Sequence, residues 1–182
     1  KIGGQTLTVE SFTYDKMGLV AMSYLTASVL DQYRPRVAIL TGICGGIPND
    51  VSLGDLIVAE SSWNWQAGKF VENENLRVDA DALPGSSALM PIARQLSASL
   101  DVRMGLMGYG KHLLGHRDRL PVVHVGPLAS GSAVVADKEV RDSIVVQNRK
   151  VLGLDMEAFA FYAAGRHLNL QGTHLLCIKA VF

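Results

Sequence analysis

The apolar run Val37-Ala38-Ile39-Leu40-Thr41 breaks at once into Gly42-Ile43-Cys44-Gly45-Gly46. A strand buried on both faces reads as such a continuous apolar run. Glycines directly behind it let backbone N–H groups approach a ligand with no Cβ in the way. Further apolar segments at 51–60, 122–125, 128–135, 151–154 and 175–182 alternate with helical stretches at 19–33, 88–100, 138–146 and 156–167. This alternation predicts an α/β fold, a mixed and mostly parallel central sheet flanked by helices. Residues 6–12 alternate in the strand manner, whereas 61–87, polar with Trp63, Trp65, Phe70 and a Pro84-Gly85 turn, read as loop.

Local signals sharpen the boundaries. Residues 19–33 are apolar nearly all round, which predicts a buried helix, and Arg34-Pro35 stops it because a residue before proline avoids helical ψ. Asp137 and Asp155 are placed to cap the helices that follow them.

The 182 residues make one domain with a sizeable core. Seventeen Lys+Arg balance seventeen Asp+Glu, so the chain has no general electrostatic grip on nucleic acid. The longest apolar stretch, 19–30, is too short for a membrane span and no basic segment precedes an apolar one, so neither membrane nor secretion is indicated. Cys44 and Cys177 are far apart, have no metal-ligand spacing and sit in apolar runs, which fits free buried thiols in the cytoplasm. Both ends read as interior pieces: Gly3-Gly4 is a turn without a preceding strand, and 175–182 is a buried-strand pattern. The expectation is a single domain over 1–182 without its first strand and its C-terminal segment.

Ligands of open α/β sheets bind where loops leave the carboxyl ends of the strands, and three segments fall there. The glycine-rich run at 41–46 is neither a dinucleotide fingerprint nor a phosphate loop with a Lys-Ser/Thr, and alone it is also a plain tight turn. In Leu154-Asp155-Met156-Glu157, Glu157 suits either helix capping or acceptance of protons from the two neighbouring hydroxyls of a ribose. Ser130-Gly131-Ser132-Ala133-Val134-Val135 suits either core or a strand end that packs on a flat heterocycle. His112 and His116 lack the Glu and third ligand of a zinc site; with Lys111, Arg117 and Arg119 they form a basic stretch, a solvated loop or an anion contact. No nucleophile elbow is present.

Together, Ile39-Leu40-Thr41-Gly42-Ile43-Cys44-Gly45-Gly46, Val51-Ser52-Leu53-Gly54-Asp55-Leu56-Ile57-Val58-Ala59, Ser130-Gly131-Ser132-Ala133 and Asp155-Met156-Glu157 resemble, in order and spacing, the nucleoside phosphorylase/nucleosidase superfamily. The likeness is strongest to the methylthioadenosine/S-adenosylhomocysteine nucleosidase-like branch, and it extends from Met17-Gly18 to Phe182. It implies a small-molecule purine nucleoside or nucleotide as ligand, with Cys44 and Gly45 against sugar and base, Val134 and Val135 against the base, Met156 against the sugar, and Glu157 on the 2′- and 3′-hydroxyls as the catalytic residue. It also implies a homodimer or larger homo-oligomer, no metal and no organic cofactor, and aromatic residues such as Trp63, Trp65 and Phe70 at a pocket edge or subunit contact. The proton-donating Asp of the family falls just after Phe182 and its water-activating Glu before Lys1.

Two departures bear on the reaction. Phosphorylases of the superfamily carry an Arg for phosphate just before the glycine-rich turn, where this chain has Leu40; a common Ser or Thr is Ile43. Both point to water as nucleophile, and so to a hydrolase of the N-glycosidic bond of an adenine-type nucleoside or nucleotide. The alternatives are a phosphorylase that holds phosphate through the 111–119 stretch, and a nucleotide-sensing module without turnover.

Overall fold

The computed structural model describes residues 6–71, 76–79, 81–114 and 119–182. Helix α1, Leu19–Tyr33, has the predicted bounds and ends where Arg34 turns left-handed ahead of Pro35. Its burial differs from expectation: Thr26 and Leu30 are buried, but Val20 and Tyr24 face outward. The helix packs on a later one, α5 (Ala158–Leu168), so one stripe is covered rather than its whole surface.

Strand β1, Val37–Gly46, runs straight through the glycine-rich segment, which is therefore strand rather than turn. Eight consecutive residues pair in parallel with β8, His174–Val181, from Val37 opposite His174 to Cys44 opposite Val181. Strand β2, Leu56–Asn64, begins later and runs further than the pattern at 51–60 predicts. Residues 6–12 form no strand, and Leu7 and Val9 are exposed. The region expected as loop holds three short strands: β3 (Gly68–Phe70), paired with β4 (Leu76–Val78), and β5 (Leu83–Pro84) on β2.

Helices α2 (Met90–Ser97) and α3 (Leu100–Leu114) follow. The helix expected at 88–100 is thus two, and the second extends into the basic stretch. Strand β6, Val123–Ser130, passes uninterrupted through Gly126-Pro127, where two strands were expected. Its parallel partner β2 bulges between Ala59 and Ser62, opposite Pro127. Proline has no N–H to give, so the ladder slips at that point instead of ending. Asp137 caps α4 (Lys138–Gln147) as predicted, accepting from the Val140 N–H at 2.9 Å. Strand β7 (Gly153–Asp155) and α5 complete the set.

The sheet order is β5-β2-β6-β7-β1-β8, with β8 also pairing back to β2. Five strands thereby close into a ring, and the long pairings, β1–β8 and β2–β6, are parallel. The result is the expected mixed, mostly parallel α/β sheet flanked by helices. Cys44, Ile57, Ala59, Leu128, Phe161, Tyr162 and Cys177 form the core between the ring and α5. The Tyr162 hydroxyl ties three elements together, donating to the Ala59 carbonyl at 2.7 Å and accepting from the Cys177 N–H at 3.1 Å. Among the described residues, no helix is long and apolar enough to cross a membrane.

Candidate active site

The parallel register sets Ser130, the last residue of β6, opposite Asp155, the last of β7. The Ser130 hydroxyl donates to Asp155 Oδ1, and it accepts from the Phe159 N–H at 2.9 Å. With its single proton committed, the 2.8 Å contact between Ser130 Oγ and Ser62 Oγ must be donated by Ser62. The other Asp155 oxygen accepts from the Ala158 N–H at 2.9 Å, which caps α5. The helix begins at Ala158 rather than Met156, so Met156 and Glu157 lie in the bend between strand and helix.

That bend decides what Glu157 does. It occupies the N-cap position of α5 with φ −136°, yet its side chain makes no capping bond. Its carboxylate turns instead across the sheet end: Oε1 accepts from the Gly18 N–H at 3.2 Å and Oε2 from Lys179 Nζ at 2.8 Å. Gly18 meets it at the start of α1 with φ 105°, a backbone conformation open to glycine and rarely to other residues. Each carboxylate oxygen has two lone pairs, and one on each oxygen is used. The side chain is 17% exposed, and one lone pair on each oxygen stays open.

Lys179 lies in β8 opposite Gly42 and is 2% exposed. Its ammonium is shared between Asp155 Oδ2 at 2.9 Å and Glu157 Oε2 at 2.8 Å. Burial by itself would push the Lys179 pKa down; Asp155 first, and Glu157 by charge and hydrogen bond, outweigh it and hold the ammonium above its usual value. One cation between two carboxylates leaves an excess negative charge at the site. The sequence reading gives Lys179, Ser62 and Gly18 no site role, and gives Asp155 that of a helix cap within the Asp155-Met156-Glu157 motif. A signal for Lys179 existed in the sequence, because one lysine inside the apolar run at 175–182 must find an acid when buried.

The remaining predicted site residues fall around this cluster unevenly. Gly45 pairs with Leu154, so Cys44 and Gly45 run beside the segment that delivers Asp155, Met156 and Glu157. The Cys44 side chain is buried in the core; burial, helped by Asp155, pushes its thiol up to about 12 against the pull of Lys179. Met156 is half-buried in the bend. Residues 131–135 leave the sheet after Ser130 instead of continuing the strand, so that Val134 is exposed while Val135 packs toward Trp63. The Ser132 N–H donates to Gln66 Oε1 at 2.6 Å, and the Trp65 indole lies against Gly131, which latches this loop to the end of β2.

Trp63 is a core residue, 2% exposed, donating to Gln147 Oε1 at 3.0 Å, and so not at a pocket edge; the Phe70 side chain lies outside the described residues. In the basic stretch, Arg119 is ion-paired to the buried Asp55, which also accepts from His124 and from the Val122 and Ser52 N–H groups. The side chains of Lys111 and His112, and residues 115–118, lie outside the described residues. Leu40 packs against the core. Among the described residues, no cluster of three or more His, Cys, Asp or Glu is arranged to hold a metal ion.

Comparison with known proteins identifies the family and the fold. The pattern that defines the phosphorylase superfamily matches residues 1–181. Protein y4jS of Sinorhizobium fredii, itself uncharacterized, is 36% identical over the whole of this chain, which covers 44% of it. The 5′-methylthioadenosine/S-adenosylhomocysteine nucleosidase of Maridesulfovibrio salexigens is 25% identical over 78% of this chain and 55% of its own length. The chain therefore spans about half the length of these curated relatives. Among solved structures, futalosine hydrolase of Helicobacter pylori superposes with a TM-score of 0.68 at 18% identity, over 92% of this chain and 66% of that one. The 5′-methylthioadenosine/S-adenosylhomocysteine nucleosidase of S. pneumoniae does so with 0.69 at 20%, over 91% and 64%. At these identities the structural likeness speaks for the fold.

Proposed function

The chain belongs to the phosphorylase superfamily, and from that premise we propose that it is a purine nucleosidase, hydrolysing the N-glycosidic bond of an adenine-type nucleoside or nucleotide. The observation that carries this reading is the Glu157 carboxylate, free of any capping role and held with one open lone pair on each oxygen. Two such acceptors match the vicinal 2′- and 3′-hydroxyls of a ribose. Met156 would flank the sugar, the backbone of Cys44 and Gly45 would lie along sugar and base, and the main chain at Val134 and Val135 would meet the base.

As the bond from sugar to base stretches, positive charge builds on the ring. The excess negative charge of Asp155 and Glu157 over Lys179 stands where that charge would develop, which lowers the barrier electrostatically. Water is the preferred nucleophile. Leu40 packs against the core and brings no cation, and Arg119 is engaged by Asp55. The reading extends to a homo-oligomer, for which the exposed Leu7, Val9, Val20 and Tyr24 offer apolar surface, and to the cytoplasm, where free buried thiols are at home.

The test is adenine release by the full-length protein from methylthioadenosine, S-adenosylhomocysteine, adenosine and AMP, each with and without phosphate. Release independent of phosphate is expected. Glu157→Gln, which keeps the shape but loses the charge, should lower kcat/KM by about 10²-fold or more. Release that requires phosphate would make the protein a phosphorylase, and binding without release a sensing module.

A further inference from the structure

We propose that Lys179 is a positioning residue whose ammonium fixes the Glu157 carboxylate, in place and in charge, for the ribose hydroxyls. This rests on the nucleosidase reading for its meaning in catalysis, but the relationship itself is physical and can be measured apart from it.

The two carboxylates that share the ammonium depend on it unequally. Asp155 has anchors of its own: the Ser130 hydroxyl on one oxygen and the Ala158 N–H on the other. Ser130 is in turn held by Ser62 and the Phe159 N–H. Glu157 has, apart from Lys179, one backbone N–H at 3.2 Å. Without Lys179, Asp155 would stay where it is, and Glu157 would be free to swing on a single long hydrogen bond. The lysine thus transmits the rigidity of the β6–β7 end to the residue that meets the sugar.

Lys179 also sets the charge of the site. Asp155 Oδ2 and Glu157 Oε2 touch the same nitrogen, so without it two carboxylates would face each other in a largely buried site. Like charges that close favour retention of a shared proton. A protonated Glu157 would lose part of its acceptor capacity and the negative charge the electron-poor sugar needs. The other titratable groups around Lys179 cannot replace it: Cys44 on β1, Cys177 on β8 and Tyr162 on α5 are all pushed toward their neutral forms by burial. Helix α1 contributes the Gly18 N–H.

The experiment uses the full-length protein with Lys179→Met, Lys179→Gln and Lys179→Arg, adenosine and methylthioadenosine being the probes. In the two neutral variants kcat should fall about 10²-fold, and the acid limb of the kcat/KM pH profile should move to higher pH than in the unmodified protein. Lys179→Arg should recover most of the activity and the original profile. Infrared spectra at neutral pH should show a protonated carboxyl band in the neutral variants alone, a readout that holds even if the protein releases no adenine. An unchanged profile without that band, in a folded neutral variant, would overturn the proposal, as would an arginine variant as impaired as methionine. Should both neutral variants fail to fold, the ¹⁵Nζ resonance of Lys179 in the unmodified protein decides. It should shift on addition of either nucleoside and stay unmoved in Glu157→Gln; a resonance indifferent to nucleoside in the unmodified protein would refute the role.

Discussion

Gly42 and Lys179 lie opposite each other in β1 and β8, and a Cβ built on Gly42 would stand 3.1 Å from the lysine ammonium nitrogen. The glycine that reads in sequence as a means of letting a ligand approach the backbone makes room here for a buried cation. Lys179 cannot step aside freely, because Asp155 and Glu157 both hold it. Gly42→Val should therefore displace the ammonium, cost about 1–3 kcal/mol of stability and weaken nucleoside binding in the same variant. Thermal unfolding and ligand titration would check both effects together. Full stability with full affinity would mean that the lysine end relocates without consequence.

Tyr162 is the second place where one side chain joins several elements. Its hydroxyl serves the Ala59 carbonyl of β2 and the Cys177 N–H of β8 from within α5. Tyr162→Phe would strand a buried acceptor and a buried donor, and should destabilise the fold by about 1–3 kcal/mol. Chemical denaturation with an unchanged m-value is the measurement that would show it.

Asp55 predicts the acid behaviour. Burial would raise its pKa, but the Val122 N–H, His124, the Ser52 N–H and Arg119 outweigh burial and hold the carboxyl below its ordinary value. A group depressed in the folded state stabilises above its unfolded pKa, near 3.9 for aspartate, and that contribution fades as pH falls through the lower folded value. The melting temperature should thus fall steeply below about pH 4. Asp55→Asn should melt lower at neutral pH and depend less on pH across that window; equal slopes for the two proteins would count against the assignment.

Both thiols should be silent in the native state. Cys44 is pushed up to about 12 and Cys177 also upward, in each case first by burial and then by Asp155. The thiolate is the reactive form, so a thiol-specific reagent at about pH 8 should label neither cysteine until denaturant is added. Labelling of the folded protein at Cys44 would show that the end of β1 opens, and at Cys177 that β8 does.

Much of the fold was legible because its signals are local. Helix α1 has the bounds its apolar pattern and Arg34-Pro35 predict, and Asp137 caps α4 by the bond its position promised. The failures share a cause. Whether Gly42–Gly46 is turn or strand depends on β8 lying alongside, and β8 is more than a hundred residues away in sequence. Residues 6–12 alternate like a strand but pair with no strand among the described residues, and 61–64 continue β2 because β6 is there to receive them. Periodicity reports what a segment can do, and pairing partners decide whether it does it.

The sequence by itself determined the α/β alternation, the order of the glycine-rich, Ser-Gly and Met-Glu segments, and hence the family, and it singled out Glu157 as a candidate site residue. It also carried Leu40, an apolar residue just before the glycine-rich run, on which the proposal of water as nucleophile rests. Only the tertiary structure decided that Glu157 is no helix cap, that Lys179 stands between it and Asp155, and that Ser62 and Ser130 stiffen the arrangement from behind. The physical reason is that a buried charge is defined by its neighbours. Gly18, Asp155, Glu157 and Lys179 are brought together by two strand ends and two helix starts, a juxtaposition that follows from sheet closure and is not written in any single segment.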